Sequence, residues 1–205
     1  EKMLEHKNNS IEGKTVIISG SGNVAQYATE KCIHLGAKVV TMSDSSGYIY
    51  DPEGINQEKL IFIMNLKNER RGRIQEYIQQ YPKAFFYAGK RPWEVPCDVA
   101  LPCATQNELN GEDAKLLIRN GCSCVGEGAN MPSTPEAISV FTENEVLFAP
   151  GKASNAGGVA VSGLEMAQNS LRYSWTRDEV DEKLKVIMND ICLLYTSDAA
   201  DELRS

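Results

Sequence analysis

The sequence predicts an α/β fold: a doubly wound, mostly parallel sheet with helices on both faces, extended by C-terminal helices. Three observations carry that expectation. Short apolar, β-branched runs alternate with helical patterns through most of the chain, as strand–helix–strand units do. The first run, Val16-Ile17-Ile18-Ser19, passes through Gly20-Ser21-Gly22-Asn23-Val24-Ala25 straight into a helical pattern. With 205 residues, 42% of them hydrophobic, the chain is long enough to bury a sizeable core.

Taken in order, residues 1–12 read as the end of a helix or linker, stopped by Asn8-Asn9-Ser10. Beyond the glycine turn, Val24, Ala28, Cys32 and Leu35 share one helical stripe and predict the core face of the first crossover helix. Leu35-Gly36 stops that helix, and a second strand over 38–42 ends in Ser43-Asp44-Ser45-Ser46-Gly47. Asp51-Pro52-Glu53-Gly54 is a turn, followed by helices over 56–69 and 73–81. Strands over 84–87, 98–101, 123–125 and 146–148 alternate with helices over 111–119 and 135–141. A small-residue loop over 150–158 leads into a long helix from Val159. Val180, Leu184, Ile187, Met188 and Ile191 form a last stripe, which fails after Ile191. The expected division is a dinucleotide-binding unit over 13–150, a helical segment over 151–191 completing it, and a non-native tail over 192–205.

Composition narrows the function. Lys plus Arg number 21 against 28 Asp plus Glu, a net charge of −7 with no basic block, which argues against nucleic acid or an anionic membrane as partner. No apolar run approaches the length that spans a bilayer and no signal peptide is evident, so a cytoplasmic protein is expected. The six cysteines read as buried, reduced thiols, with Cys122 and Cys124 on one face of a strand. His6 and His34 read as solvated surface residues, and Trp93 and Trp175 as packing.

The glycine turn carries the chemistry. Gly20 permits the tight turn, Gly22 lets a pyrophosphate approach the backbone, and Ala25 lets the helix lie close to the strand. The helix start then aims unpaired N–H groups, with Ser21, Asn23 and Val24 around them, at the phosphates. This is the opening of a Rossmann-like unit. An acid about 20 residues on usually holds the adenosine ribose and rejects a 2′-phosphate, and Asp44 stands roughly there, which favours NAD. Ser43 and Ser45 beside it could instead donate to a phosphate. Lys67, Arg70 and Arg73, spaced three apart, could lie along one side of the following helix as its cationic partners.

Four blocks together resemble glutamate dehydrogenase, and within it the cofactor domain of the small-subunit hexameric enzymes. They are 19–27, Leu101-Pro102-Cys103-Ala104-Thr105-Gln106-Asn107-Glu108-Leu109, Glu127-Gly128-Ala129-Asn130-Met131-Pro132, and 147–166. The similarity runs from residue 1 to about 191. It implies reversible oxidative deamination of L-glutamate to 2-oxoglutarate and ammonia, with hydride passing to a nicotinamide cofactor, in a homo-oligomer. By resemblance Ala104, Thr105 and Gln106 lie along the cofactor, Asn130 meets the nicotinamide amide, and Ser162 binds the side-chain carboxylate of the substrate. Similar NADP-dependent enzymes carry the same Ser-Asp-Ser with basic residues further on, so the expected cofactor is NADP, with NAD as the alternative. The family's substrate domain, with its catalytic lysine and aspartate, has no counterpart here. No catalytic residue is therefore assigned, the expected chain is truncated at both ends, and alone it is expected to be inactive. Residues 193–202 resemble translated sequencing-adaptor sequence. Two rival readings are a non-enzymatic nucleotide-binding regulatory module and a dehydrogenase of another amino acid. The 150–166 block argues against the first and Ser162 against the second.

Overall fold

The strand β1 (Thr15–Ile18) lies at the centre of the sheet because it is apolar on both faces: Val16, Ile17 and Ile18 have no solvent exposure. The computed structural model describes residues 1–202, and the side chains of all of these except His6 and residues 192–202. Along the chain come α1 (Lys2–His6), β1, α2 (Asn23–His34), β2 (Lys38–Asp44), β3 (Gly47–Tyr50), α3 (Gln57–Met64), α4 (Tyr77–Gln80) and β4 (Phe85–Ala88). They are followed by β5 (Val99–Leu101), α5 (Gly111–Arg119), β6 (Cys124–Gly126), α6 (Pro135–Glu143), β7 (Leu147–Ala149), α7 (Gly151–Ser154), α8 (Gly157–Leu171) and α9 (Arg177–Glu202). The strand order among the described residues is β4-β3-β2-β1-β5-β6-β7. From β2 to β7 through β1 all neighbours are parallel, whereas β3 and β4 form an antiparallel edge. The expected α/β class holds.

Alternation along the strands sends successive side chains to opposite faces. Val16, Ile18, Val39 and Ile49 pack under α2 and α3, against Ala25, Cys32, Leu60 and Ile63. Ile17, Val40, Ala100 and Val125 pack under α5 and α6, against Ala114, Leu117, Ala137 and Phe141. Local chemistry starts these helices. Asn110 Oδ1 accepts from the N–H groups of Glu112 and Asp113, and Asp113 Oδ2 accepts from the N–H of Asn110, a reciprocal cap on α5. Thr134 caps α6, with Pro135 at its first position.

Several expectations need correction. On α2 the expected stripe holds at Cys32, Ala28 and Leu35, which pack on the core beside the fully buried Ala25, Gln26 and Thr29; Val24 departs from it, half exposed where it lines the cleft. β3 was not expected at all. The helix over 56–69 is α3 followed by a π-helical turn over Asn65–Glu69, and residues 73–81 hold only a 3₁₀ turn and the single turn α4. The loop over 150–158 is largely helical, as α7 and the start of α8. Cys122 precedes β6 and joins the α5–α6 face, while Cys124 joins the other. Among the described residues five cysteines are buried and free, His34 is exposed and Trp93 is buried. The backbone of α9 continues through residue 191 to Glu202. The side chains of residues 192–205 and of His6 lie outside the described residues. No helix among the described residues is long and apolar enough to cross a membrane.

Candidate functional site

The carboxyl ends of β1, β2 and β5 meet where the strand order turns back on itself, the place ligands occupy in open α/β sheets. A cleft of about 600 Å³ opens there, a size suited to a cofactor. Its floor is the glycine turn. Gly20 has φ of +84°, and a Cβ on it would come within 2.8 Å of the carbonyl oxygen of Cys103, so only glycine fits between β1 and β5. At Gly22 a Cβ would meet nothing, and this open backbone caps α2 without a side chain. Ser21, Asn23 and Val24 line the cleft beside it. The first turn of α2 holds no acid, so its N–H groups and helix dipole face the cleft without a competing carboxylate.

Hydroxyl groups pin this turn to both neighbouring strands. The register of β1 on β2 slips between Val16 and Ile17, and Thr41 fills the gap: its Oγ1 accepts from the Ile18 N–H at 3.0 Å and donates to the Ile18 carbonyl at 3.1 Å. Ser43 Oγ accepts from the Gly20 N–H at 2.7 Å, so this serine secures the turn as well as lining the cleft. On the other side Ser19 Oγ accepts from the Cys103 N–H at 2.9 Å. Behind the turn, Gln26 and Asn68 exchange amide hydrogen bonds of 3.0 Å, and Gln26 Nε2 donates to the Ser21 carbonyl. This couples the floor to the π-helical turn, a distortion that often marks a functional segment.

That turn carries Lys67 to Asp44. Lys67 Nζ donates to Asp44 Oδ2 at 2.9 Å and to the Gly72 carbonyl at 2.9 Å. Asp44 also accepts from the Ile74 N–H at 2.8 Å, and from the N–H and hydroxyl of Ser46. Burial alone would raise this carboxyl, but Ser46, Ile74 and Lys67 together hold it down at about 2. The three cations do not share a helix side. Helical structure lapses after Glu69; Arg70 pairs with Glu76 at 3.0 Å, and Arg73 Nη1 donates to Ser45 Oγ at 2.7 Å. Lys67, Arg70 and Arg73 stand behind Asp44 and Ser45 and do not line the cleft.

Of the remaining expected residues, Ala104 and Thr105 line the cleft, and Gln106 and Asn130 do not. The loops bearing them are nonetheless joined: the Asn107 N–H donates to the Met131 carbonyl, and the Gly128 and Ala129 N–H groups to that of Pro102. Ser162 is exposed on α8, and its Oγ donates to the Gly158 carbonyl at 3.3 Å. The sequence reading missed Gly47, Gly89, Lys90, Arg91, Cys103 and Glu108, which complete the lining. Antiparallel pairing of β4 on β3 brings the Gly89 N–H to the Ser46 carbonyl at 2.8 Å and so sets Lys90 and Arg91 at the rim. Burial pushes the Cys103 thiol up to about 12, which makes it a neutral wall atom and not a nucleophile.

Comparison with known proteins follows the same outline. A family model for Glutamate/Leucine/Phenylalanine/Valine dehydrogenase matches residues 1–204, past the point where the sequence reading ended the resemblance. The NAD(P)-specific glutamate dehydrogenase of Xylanibacter ruminicola is 60% identical over 198 residues, covering 95% of this chain and 44% of that protein. The NADP-specific glutamate dehydrogenase of Haemophilus influenzae is 59% identical over 191 residues, covering 93% of this chain and 42% of that protein. Among solved structures, Plasmodium falciparum glutamate dehydrogenase superposes with a TM-score of 0.96 at 49% identity, covering 100% of this chain and 44% of that one. The chain thus spans less than half the length of these relatives.

Proposed function

The chain belongs to the Glutamate/Leucine/Phenylalanine/Valine dehydrogenase family, and on that premise we propose that it forms the cofactor-binding part of an NADP-dependent glutamate dehydrogenase. The reaction is reversible oxidative deamination of L-glutamate to 2-oxoglutarate and ammonia, in a cytoplasmic homo-oligomer. The observation that carries the cofactor choice is the saturation of Asp44. A carboxylate that selects NAD must be free to accept from the ribose 2′-hydroxyl. Asp44 is instead surrounded by Lys67, the Ile74 N–H and Ser46, and its charge is balanced from behind. Arg73, held on the Ser45 hydroxyl, adds a cation at the same edge. Such an edge tolerates a phosphate dianion where a bare carboxylate would repel it.

NADP would lie with its pyrophosphate over Gly20–Gly22 and the start of α2, and its 2′-phosphate toward Ser45. When bound it supplies the site that accepts or gives the hydride. The chain's own residues bind and orient it: the glycine turn by backbone N–H groups, Ala104 to Gln106 along its length, Asn130 at the nicotinamide end. Ser162 would donate to the γ-carboxylate of glutamate. No residue of this chain is assigned proton transfer at the amine, so the chain alone should bind nucleotide without turning over glutamate.

The test is calorimetric titration of the chain with NADPH and NADH at low and high salt. NADPH should bind more tightly, by a margin that salt narrows as it screens the phosphate contact. Tighter binding of NADH at low salt would overturn the assignment of NADP.

A further inference from the structure

Glu108 is the one acid among the missed lining residues, and its side chain makes contacts that no role assigned above uses. It is only 5% exposed. Its Oε1 accepts from the Ala104 N–H at 2.9 Å and, more weakly, from the Thr105 N–H at 3.4 Å. The Ser19 hydroxyl, which accepts from the Cys103 N–H, also donates to this carboxylate. Its main chain works in the other direction. The Glu108 carbonyl accepts from Arg91 Nη1 at 2.6 Å and from Trp93 Nε1 at 3.3 Å. One residue therefore joins three segments of the cleft: the end of β1, the loop after β5, and the segment after β4.

Burial disfavours the ionised carboxyl and raises its pKa, so the charged group opposes stability where it stands. The hydrogen bonds it receives offset part of that cost and place the N–H groups of Ala104 and Thr105. Resting on the dinucleotide reading above, we propose that Glu108 is a positioning residue that holds the two walls of the cofactor cleft at their spacing, so that nucleotide affinity depends on its acceptor oxygen.

Three variants test this: Glu108→Ala removes the acceptor, Glu108→Asp withdraws it by one methylene, and Glu108→Gln keeps a carbonyl oxygen on the same stem. NADPH affinity should fall about tenfold or more in the alanine and aspartate variants, the loss expected for a hydrogen bond to a charged group. The glutamine variant should stay within about threefold, with a melting temperature at neutral pH no lower than that of the unchanged chain. Amide exchange in the nucleotide-free protein gives a second readout. The Ala104 and Thr105 amides should lose protection in the aspartate and alanine variants and keep it in the glutamine variant, while amides of β1 stay protected. Unchanged affinity and unchanged exchange in the aspartate variant would overturn the proposal, as would loss of affinity only in step with melting temperature. If the unchanged chain bound neither NADPH nor NADH, the function proposed above would fall. The exchange at Ala104 and Thr105 would still decide what Glu108 positions.

Discussion

Replacing Lys67 by methionine keeps the length of the side chain and removes its charge. The ammonium lies 2.9 Å from Asp44 Oδ2, with side-chain exposures of 19% and 8% for the pair, so it is neither a free surface bridge nor fully buried. Losing a charge-assisted hydrogen bond of this kind costs about 1.5–3 kcal/mol, and the Gly72 carbonyl loses its partner too. The effect on cofactor choice is separate. Without Lys67 the Asp44 carboxylate keeps the N–H of Ile74 and Ser46 but has no cation to balance it. A unit charge about 8 Å from a phosphate dianion, at an effective dielectric of about 40, repels it by about 2 kcal/mol. Lys67→Met should therefore reduce the NADPH-to-NADH affinity ratio about thirtyfold, mostly through weaker NADPH binding. Titration with each nucleotide at low and high salt measures this, and the difference between variant and parent should shrink as salt rises. An unchanged ratio in a variant that melts lower would mean that Lys67 only props the fold, and the argument from Asp44 neutralisation would fail.

Asp44 also makes stability pH-dependent. Its carboxyl is depressed from 3.8 to about 2, so its stabilisation is complete above about pH 4 and is lost as pH falls toward 2. Discounted for partial solvent screening, this amounts to about 1–2 kcal/mol, so Asp44→Asn should lower the urea midpoint at pH 6 and leave it little changed at pH 2. A Cβ on Gly47 would lie 2.2 Å from the Tyr87 carbonyl oxygen, whereas one on Gly89 meets nothing within 4 Å. In urea unfolding Gly47→Ala should cost more than about 2 kcal/mol and Gly89→Ala about 1 kcal/mol, the latter from its positive φ alone. Thr41→Val should cost about 1–3 kcal/mol by leaving the Ile18 N–H without its acceptor, and amide exchange at Ile18 should rise in the same variant.

The glycine turn and the alternation of apolar runs were legible because each depends on a few neighbouring residues. Val16 to Ala25 states its own geometry, and the parallel core follows from it. β3 was not legible. Its four residues follow Ser45-Ser46, which read as loop, and what holds them is Gly47 fitting against the Tyr87 carbonyl, forty residues away in the chain. The cations behind Asp44 were found by type but lined along one helix side, although the reading itself ended that helix at residue 69; Gly72 marks the break before Arg73, and only the π-helical turn has no local signal. Lys90 and Arg91 reach the cleft only through the pairing of β4 with β3, and so depended on the strand that was missed. Glu108 lay in a recognised block, yet its burial is a tertiary fact: an acid beside Asn107 looks exposed until Arg91, Trp93 and Ser19 close around it.

The central position of β1 has a consequence in time. Its partner on one side, β2, follows after one helix, but the contacts with the β5 side join residues more than eighty apart, such as the Cys103 N–H to Ser19 Oγ with a separation of 84. At ribosomal rates of about 5–20 residues per second, about 4–17 s pass between the synthesis of Ser19 and that of Cys103. During that interval Val16, Ile17 and Ile18 form an open, wholly apolar edge, the kind of template on which nascent chains aggregate. Nucleotide cannot guard it, because the wall at Ala104 and Thr105 has yet to be made. Substitutions that slow the docking of β5 should therefore reduce the yield of soluble protein while leaving the melting temperature of the molecules that succeed unaltered.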